Sequence, residues 1–193
     1  MHRKPLLELL ERYEARHPAE SACVARIREL VRNHPDCFER TCEPGHVTAS
    51  SWIVSSDRRA FLLTHHRKLG RWLQLGGHAD GDPNVAEVAL REAREESGLE
   101  TLRFPAETRV EGRPIPIDVD VHRIPARPGE PAHEHHDIRF LFVADRGETI
   151  SISDESNALA WFEWDRLETD FDEESLLRLG RKAWQVVSAK RSS

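Results

Sequence analysis

Apolar residues recur at helical spacing at both ends and in the middle of the chain, and alternate at strand spacing between. From Pro5 to about Arg16, Leu6, Leu7, Leu9, Leu10 and Tyr13 mark a helix. Pro18 interrupts it, and a second helix follows from Ala19 to Asn33 with Val24, Ile27, Leu30 and Val31 facing inward. His34-Pro35 ends that helix, because the residue before proline is pushed out of the helical region. Strands are expected over Val47 to Val54 and Ala60 to Thr64, joined by a Ser-Ser-Asp turn. Further strand signals lie at Thr101 to Phe104, Thr108 to Val110, Ile115 to Ile124, Ile138 to Ala144 and Leu159 to Phe162. Within the third, Ile117, Val119 and Val121 alternate with Asp118, Asp120 and His122, which gives it one polar face. A final helix is expected over Glu173 to Ala189, its core face formed by Leu176, Leu177, Leu179, Trp184 and Val187.

The segment from Leu75 to Leu99 organises the rest. It opens on a double glycine, turns, and enters a helix that stops at Gly98. Asp82-Pro83 reads as its start, with Asp as N-cap and Pro at the first helical position. Ala86, Ala89, Leu90 and Ala93 give it a small apolar face suited to a sheet. Glu92, Glu95 and Glu96 share another face, since positions three and four apart are neighbours on a helix. Like charges at that spacing oppose folding, and a hard divalent cation that wants carboxylate oxygens reverses the balance.

Gly77, followed at the correct distance by Arg91-Glu92-Ala93-Arg94-Glu95-Glu96-Ser97-Gly98-Leu99, resembles the Nudix box. One position departs from the family pattern: Pro83 stands where the first Glu of the box belongs, and Glu87, four residues before Arg91, offers an alternative ion pair. The resemblance implies an α/β fold, a Nudix-type α/β/α sandwich with a mixed sheet. The helical hairpin of residues 1–44 would precede a Nudix domain of residues 45–193. It also implies a Mg²⁺-dependent hydrolase, with Mn²⁺ as substitute, acting on a nucleoside diphosphate linked to another moiety. Glu92, Glu95, Glu96 and the Gly77 carbonyl would hold metal. Glu92, Glu95 and Arg91 would serve in catalysis, with Glu92 or a loop acid as general base and Arg91 bracing the glutamates. A loop acid can complete such sites; Glu155 stands in the right place, and Glu134 and Asp137 compete with it. Two related classes are the non-catalytic Nudix sensing modules and isopentenyl-diphosphate isomerase. The first usually lack the Glu-Glu pair kept here, and the second needs a catalytic Cys where this chain has none.

Two clusters flank this core. His65-His66-Arg67-Lys68-Leu69-Gly70-Arg71 leads directly into the box, so Arg67, Lys68 and Arg71 are candidates to grip phosphate oxygens; the alternative is a solvated basic loop. Four of the chain's 11 histidines, His122, His133, His135 and His136, fall within one hairpin. Alternation places His133 and His135 on one strand face with Asp137. The readings open there are a substrate wall that includes His78, His135 and Asp137, a transition-metal site, or an ordinary polar strand end.

Composition narrows the partners. With 28 Lys and Arg against 34 Asp and Glu, the net charge is −6, and no basic stretch suggests a nucleic-acid groove. No apolar run spans a membrane, and the first residues turn charged too soon for a signal peptide. Cys23, Cys37 and Cys42 lack a CxxC spacing and read as reduced, packed thiols of a cytoplasmic protein. The hairpin reads first as a packing cap, with a lid or a homodimer contact as the other roles.

Overall fold

The computed structural model describes residues 2–127, 129–152 and 156–189. In chain order the helices are α1 (Lys4–Arg16), α2 (Ser21–Asn33), α3 (Val85–Ser97), α4 (Leu167–Asp170) and α5 (Glu174–Ser188). The strands are β1 (Gly45–Val54), β2 (Ala60–His66), β3 (Arg71–Leu73), β4 (Leu75–His78), β5 (Leu102–Arg103), β6 (Arg109–Val110), β7 (Arg113–Pro114), β8 (Asp118–Ile124), β9 (His133–Ala144) and β10 (Ser156–Glu163).

β1 is the centre of a mixed sheet. It runs parallel to β9 over ten register positions, from Gly45 opposite Glu134 to Val54 opposite Val143. Its other edge is shared, antiparallel, by β4 near the start and β2 near the end. β10 and β3 continue from β2, and β8 and β5 from β9. Every residue of β1 is buried, as expected for a strand covered on both faces. Val47, Ala49 and Ile53 point into a core shared with α1, α2 and α3. Trp52 and Val54 point the other way, into a core shared with α5. The layers are thus helices, mixed sheet, helix: the expected α/β/α sandwich, with the N-terminal helices in the first layer.

Several expectations are corrected. α3 begins at Val85 with Asn84 in the capping position; Asp82 and Pro83 precede the helix, and Asp82 Oδ1 accepts the Asn84 N–H at 2.8 Å. Its buried line is Val85, Val88, Ala89 and Ala93, with Ala86 and Leu90 only partly covered, so the packed face is rotated from the expected one. A 3₁₀ turn, Pro18–Glu20, replaces the first turn expected of the second helix. Trp184 lies on the rim of α5, 37% exposed, its ring tilted against that of Trp164 at 5.0 Å; Gly180 and Ala183 take the core positions beside the leucines. Gly180 lets α5 approach closely, since a Cβ there would meet Leu167 at 2.7 Å. The polar face of β8 is graded: Asp118 is fully buried beneath α5, while Asp120 and His122 stay partly exposed. β9 starts at His133, earlier than the apolar run beginning at Ile138.

Candidate active site

The box folds as one unit from β4 and α3. β4 pairs with β1, placing Gly77 opposite Ala49 and Gly76 opposite Ser50. A Cβ on Gly76 would lie 2.6 Å from the Ser50 Cα, so only glycine permits this approach. The Gly76 N–H donates to Glu96 Oε2 at 3.0 Å. Gly77 sits against the Glu92 carboxylate, where a Cβ would fall 2.2 Å from Oε2. Arg91 donates through Nη2 to Glu92 Oε1 at 3.0 Å and to the His78 carbonyl at 3.2 Å. It thereby ties helix to strand, and its partner is Glu92 in place of the expected Glu87. Burial holds the Glu92 carboxyl above its ordinary range, against the opposing pull of Arg91. Glu95 is exposed, while Glu92 and Glu96 are half-buried. Glu92 and Glu96 thus lie against the glycine turn, and Glu95 stands one helical turn from Glu92 on the same face.

The remaining candidates divide into three places. Arg67 and Lys68 occupy the exposed turn between β2 and β3, and Arg71 ion-pairs with Glu173 at 3.1 Å. His78 and His135 lie together, their rings 5.1 Å apart, at the end of the sheet where β1 and β9 begin. Asp137, 2% exposed, is turned into the protein: it accepts from the Thr48 and Ser50 hydroxyls and from Arg139 Nε at 2.8 Å. Glu134 pairs with Arg26 of α2 at 2.8 Å. Glu155 lies outside the described residues. The thiols of Cys37 and Cys42 are buried and pushed up by desolvation to about 11 and about 12, so they are inert at neutral pH.

Sequence reasoning missed two features. His46 is the second residue of β1 and has His135 as its register partner on β9. A lone histidine at the head of an apolar strand was the available signal. Arg139 stands in the otherwise apolar run of β9 and is 2% exposed. It bonds Asp137, Asp118 at 3.1 Å and Asp120 at 3.1 Å, while Arg178 and Lys182 of α5 also reach Asp118. Lys182 continues to Glu20 and to the Tyr13 hydroxyl, which donates to Glu20. One buried charge network therefore joins β8, β9 and α5 to the N-terminal helices.

Residues 44–179 match the family model described as the NUDIX domain, which is most of the chain. The chain belongs to the Nudix family. A Nudix-family hydrolase from Clostridium perfringens is similar at 27% identity and TM-score 0.57, covering 74% of this chain and 97% of its own. A C. elegans Ap4A hydrolase binary complex shares the fold at 18% identity and TM-score 0.58, with 74% and 98% covered. The E. coli dihydroneopterin triphosphate pyrophosphohydrolase does so at 15% identity and TM-score 0.52, with 70% and 92% covered. No curated protein sequence matches the chain. This Nudix protein is an enzyme of the pyrophosphohydrolase type. No helix among its described residues is long and apolar enough to cross a membrane. Nudix hydrolases use a divalent metal, and the residues of this one fit such an ion. The candidate donors are carboxylate oxygens, which hard cations prefer, and the space at Gly77 that a Cβ would fill lies directly against Glu92.

Proposed function

We propose that this Nudix enzyme hydrolyses the diphosphate of a nucleoside diphosphate linked to another moiety, in the cytoplasm, with Mg²⁺ or Mn²⁺ as its metal. The observation that supports this best is the single unit made by Gly76, Gly77, Glu92 and Glu96, in which the glycine turn and the helix carboxylates fix one another. Glu92, Glu95, Glu96 and the Gly77 carbonyl would hold the metal. When bound, it neutralises phosphate charge and makes water more acidic.

The chain's own groups supply the rest. Glu92 takes the proton of the attacking water as its oxygen bonds to phosphorus and the bridging P–O bond breaks, releasing two phosphate-bearing products. Arg91 holds the Glu92 carboxylate in place. Arg67 and Lys68 at the β2–β3 turn meet the outer phosphate oxygens. The helices of residues 1–44 serve as a packing cap on the domain of residues 45–193.

The test is a panel of nucleoside diphosphate derivatives with Mg²⁺ or Mn²⁺, read by product analysis, with Glu95→Gln and Glu96→Gln beside the parent protein. Turnover in the parent and its loss in both variants is expected. Equal turnover in the variants would sink the assignment of the carboxylates.

A further inference from the structure

Strand register brings histidines from distant parts of the chain to one end of one sheet face. His46 lies directly beside His135 on the parallel neighbour, and His135 faces His122 on its other side. β4 places His78 opposite Thr48, two residues along from His46 and on the same face. The His46 ring lies 5.1 Å from that of His78, 4.9 Å from His133 and 4.8 Å from His135. This face is opposite the one that carries Val47 and Ala49 against α3, so the sheet separates the imidazoles from the box carboxylates.

Three ring nitrogens, one each from His46, His78 and His135, come within 4.8 Å of one another. His46 is 1% exposed, and among the described residues neither of its ring nitrogens has a hydrogen-bond partner. Such an orphaned buried group is uncommon and asks for an ion or a water. The neighbouring His133 is held by a bond between its Nδ1 and the Pro131 carbonyl at 2.9 Å. In the neutral ring that bond places the proton on Nδ1 and leaves the Nε2 lone pair facing His135 Nε2 at 3.3 Å, with Glu130 Oε1 at 3.7 Å. A ring oriented by a backbone carbonyl through its other nitrogen is the usual arrangement around metal-bound histidines. Packing alone does not explain the group, since apolar rings would fill the same space without orphaned nitrogens.

We propose that His46, His78 and His135 form a second metal site, for a transition-metal ion of the zinc class, distinct from the carboxylate site. The chemistry selects the ion. Imidazole suits zinc and its neighbours, whereas Mg²⁺ prefers oxygen. Zinc–nitrogen bonds of about 2.0–2.1 Å draw the three ring nitrogens closer than the 4.8 Å within which they lie, so the rings turn inward on binding. The fourth position faces His133 and is filled by its Nε2 or by water. Because β1, β4 and β9 each contribute one ligand, the ion clamps the box strand to the sheet centre through the residue after Gly77. This inference stands independently of the substrate reading above.

The experiment uses the full chain after chelator treatment, titrated with Zn²⁺ and with Co²⁺ in saturating Mg²⁺. One tight equivalent of Zn²⁺, a tetrahedral Co²⁺ absorption band and a raised thermal midpoint are expected. His78→Ala and His135→Asn are each expected to weaken Zn²⁺ binding by more than about a hundredfold, since even residues outside the ligand shell are worth about 10–100-fold. The Glu95→Gln/Glu96→Gln double variant is expected to keep the Zn²⁺ equivalent. A parent protein that takes up no Zn²⁺, binding unchanged in the histidine variants, or binding lost only in the glutamate variant overturns the proposal. The parent titration decides even where a histidine variant fails to fold.

Discussion

Gly77 and Glu92 occupy adjoining space, so closely that a methyl group on Gly77 would lie 2.2 Å from Glu92 Oε2. The backbone at Gly77 is ordinary, so the side chain it lacks matters more than its flexibility. Gly77→Ala is therefore expected to fold and to displace the Glu92 carboxylate. A shift of about 1 Å costs on the order of a hundredfold in rate. The check is kcat/KM beside a thermal melt. Full activity would mean that Glu92 has room to move without consequence.

Arg139 is a buried cation that faces Asp118, Asp120 and Asp137 from within the sheet. Arg139→Met leaves carboxylates buried with fewer countercharges, at a cost of about 3–5 kcal/mol. Arg71→Ala breaks a half-exposed pair with Glu173 and is expected to cost below about 1 kcal/mol. Denaturant unfolding of both variants tests the contrast. Equal costs would remove the network from the list of what holds the sheet to α5.

Acid should weaken the fold through Asp120. Burial works to raise its carboxyl, but the His122 bond, Arg139 and Arg178 outweigh it and hold the group well below the usual range. Facing it are His122 from β8, Arg139 from β9, and Ser175 and Arg178 from α5. A depressed folded-state pKa gives stability that is complete above the unfolded value of about 3.9 and is lost as pH falls toward the folded value. Stability is thus expected to drop with pH below about 4. In Asp120→Asn that slope should be shallower. An unchanged slope would assign acid sensitivity to other carboxyls.

Tyr13 tests what the N-terminal helices do. Its hydroxyl joins Glu20 and accepts from Lys182 Nζ at 2.9 Å, linking α1 to α5 far from the box. Tyr13→Phe is expected to lose about 1–3 kcal/mol of stability, because charged partners are left short of a bond. Turnover below the melting range should be unchanged. A fall in kcat with stability intact would instead make these helices part of the active site.

Periodicity and spacing made most of the elements legible, because they express local geometry: 3.6 residues per helical turn and two per strand repeat. The box from Gly77 to Leu99 was readable for the same reason, since Glu92, Glu95 and Glu96 share a helix face whatever surrounds them. The start of α3 was misplaced because proline and aspartate serve equally well just before a helix. The polar stripe of β8 was legible as one polar face, but a sequence does not show that α5 brings Arg178 and Lys182 onto it. The alignment of His46 with His135 was equally invisible. It depends on the parallel register of β1 and β9, set by hydrogen bonds between segments far apart in the chain. Local pattern thus determined the helices, the strands and the acidic face. Tertiary pairing alone decided which charges are buried together and which histidines meet, because those neighbours are chosen by sheet register and layer packing.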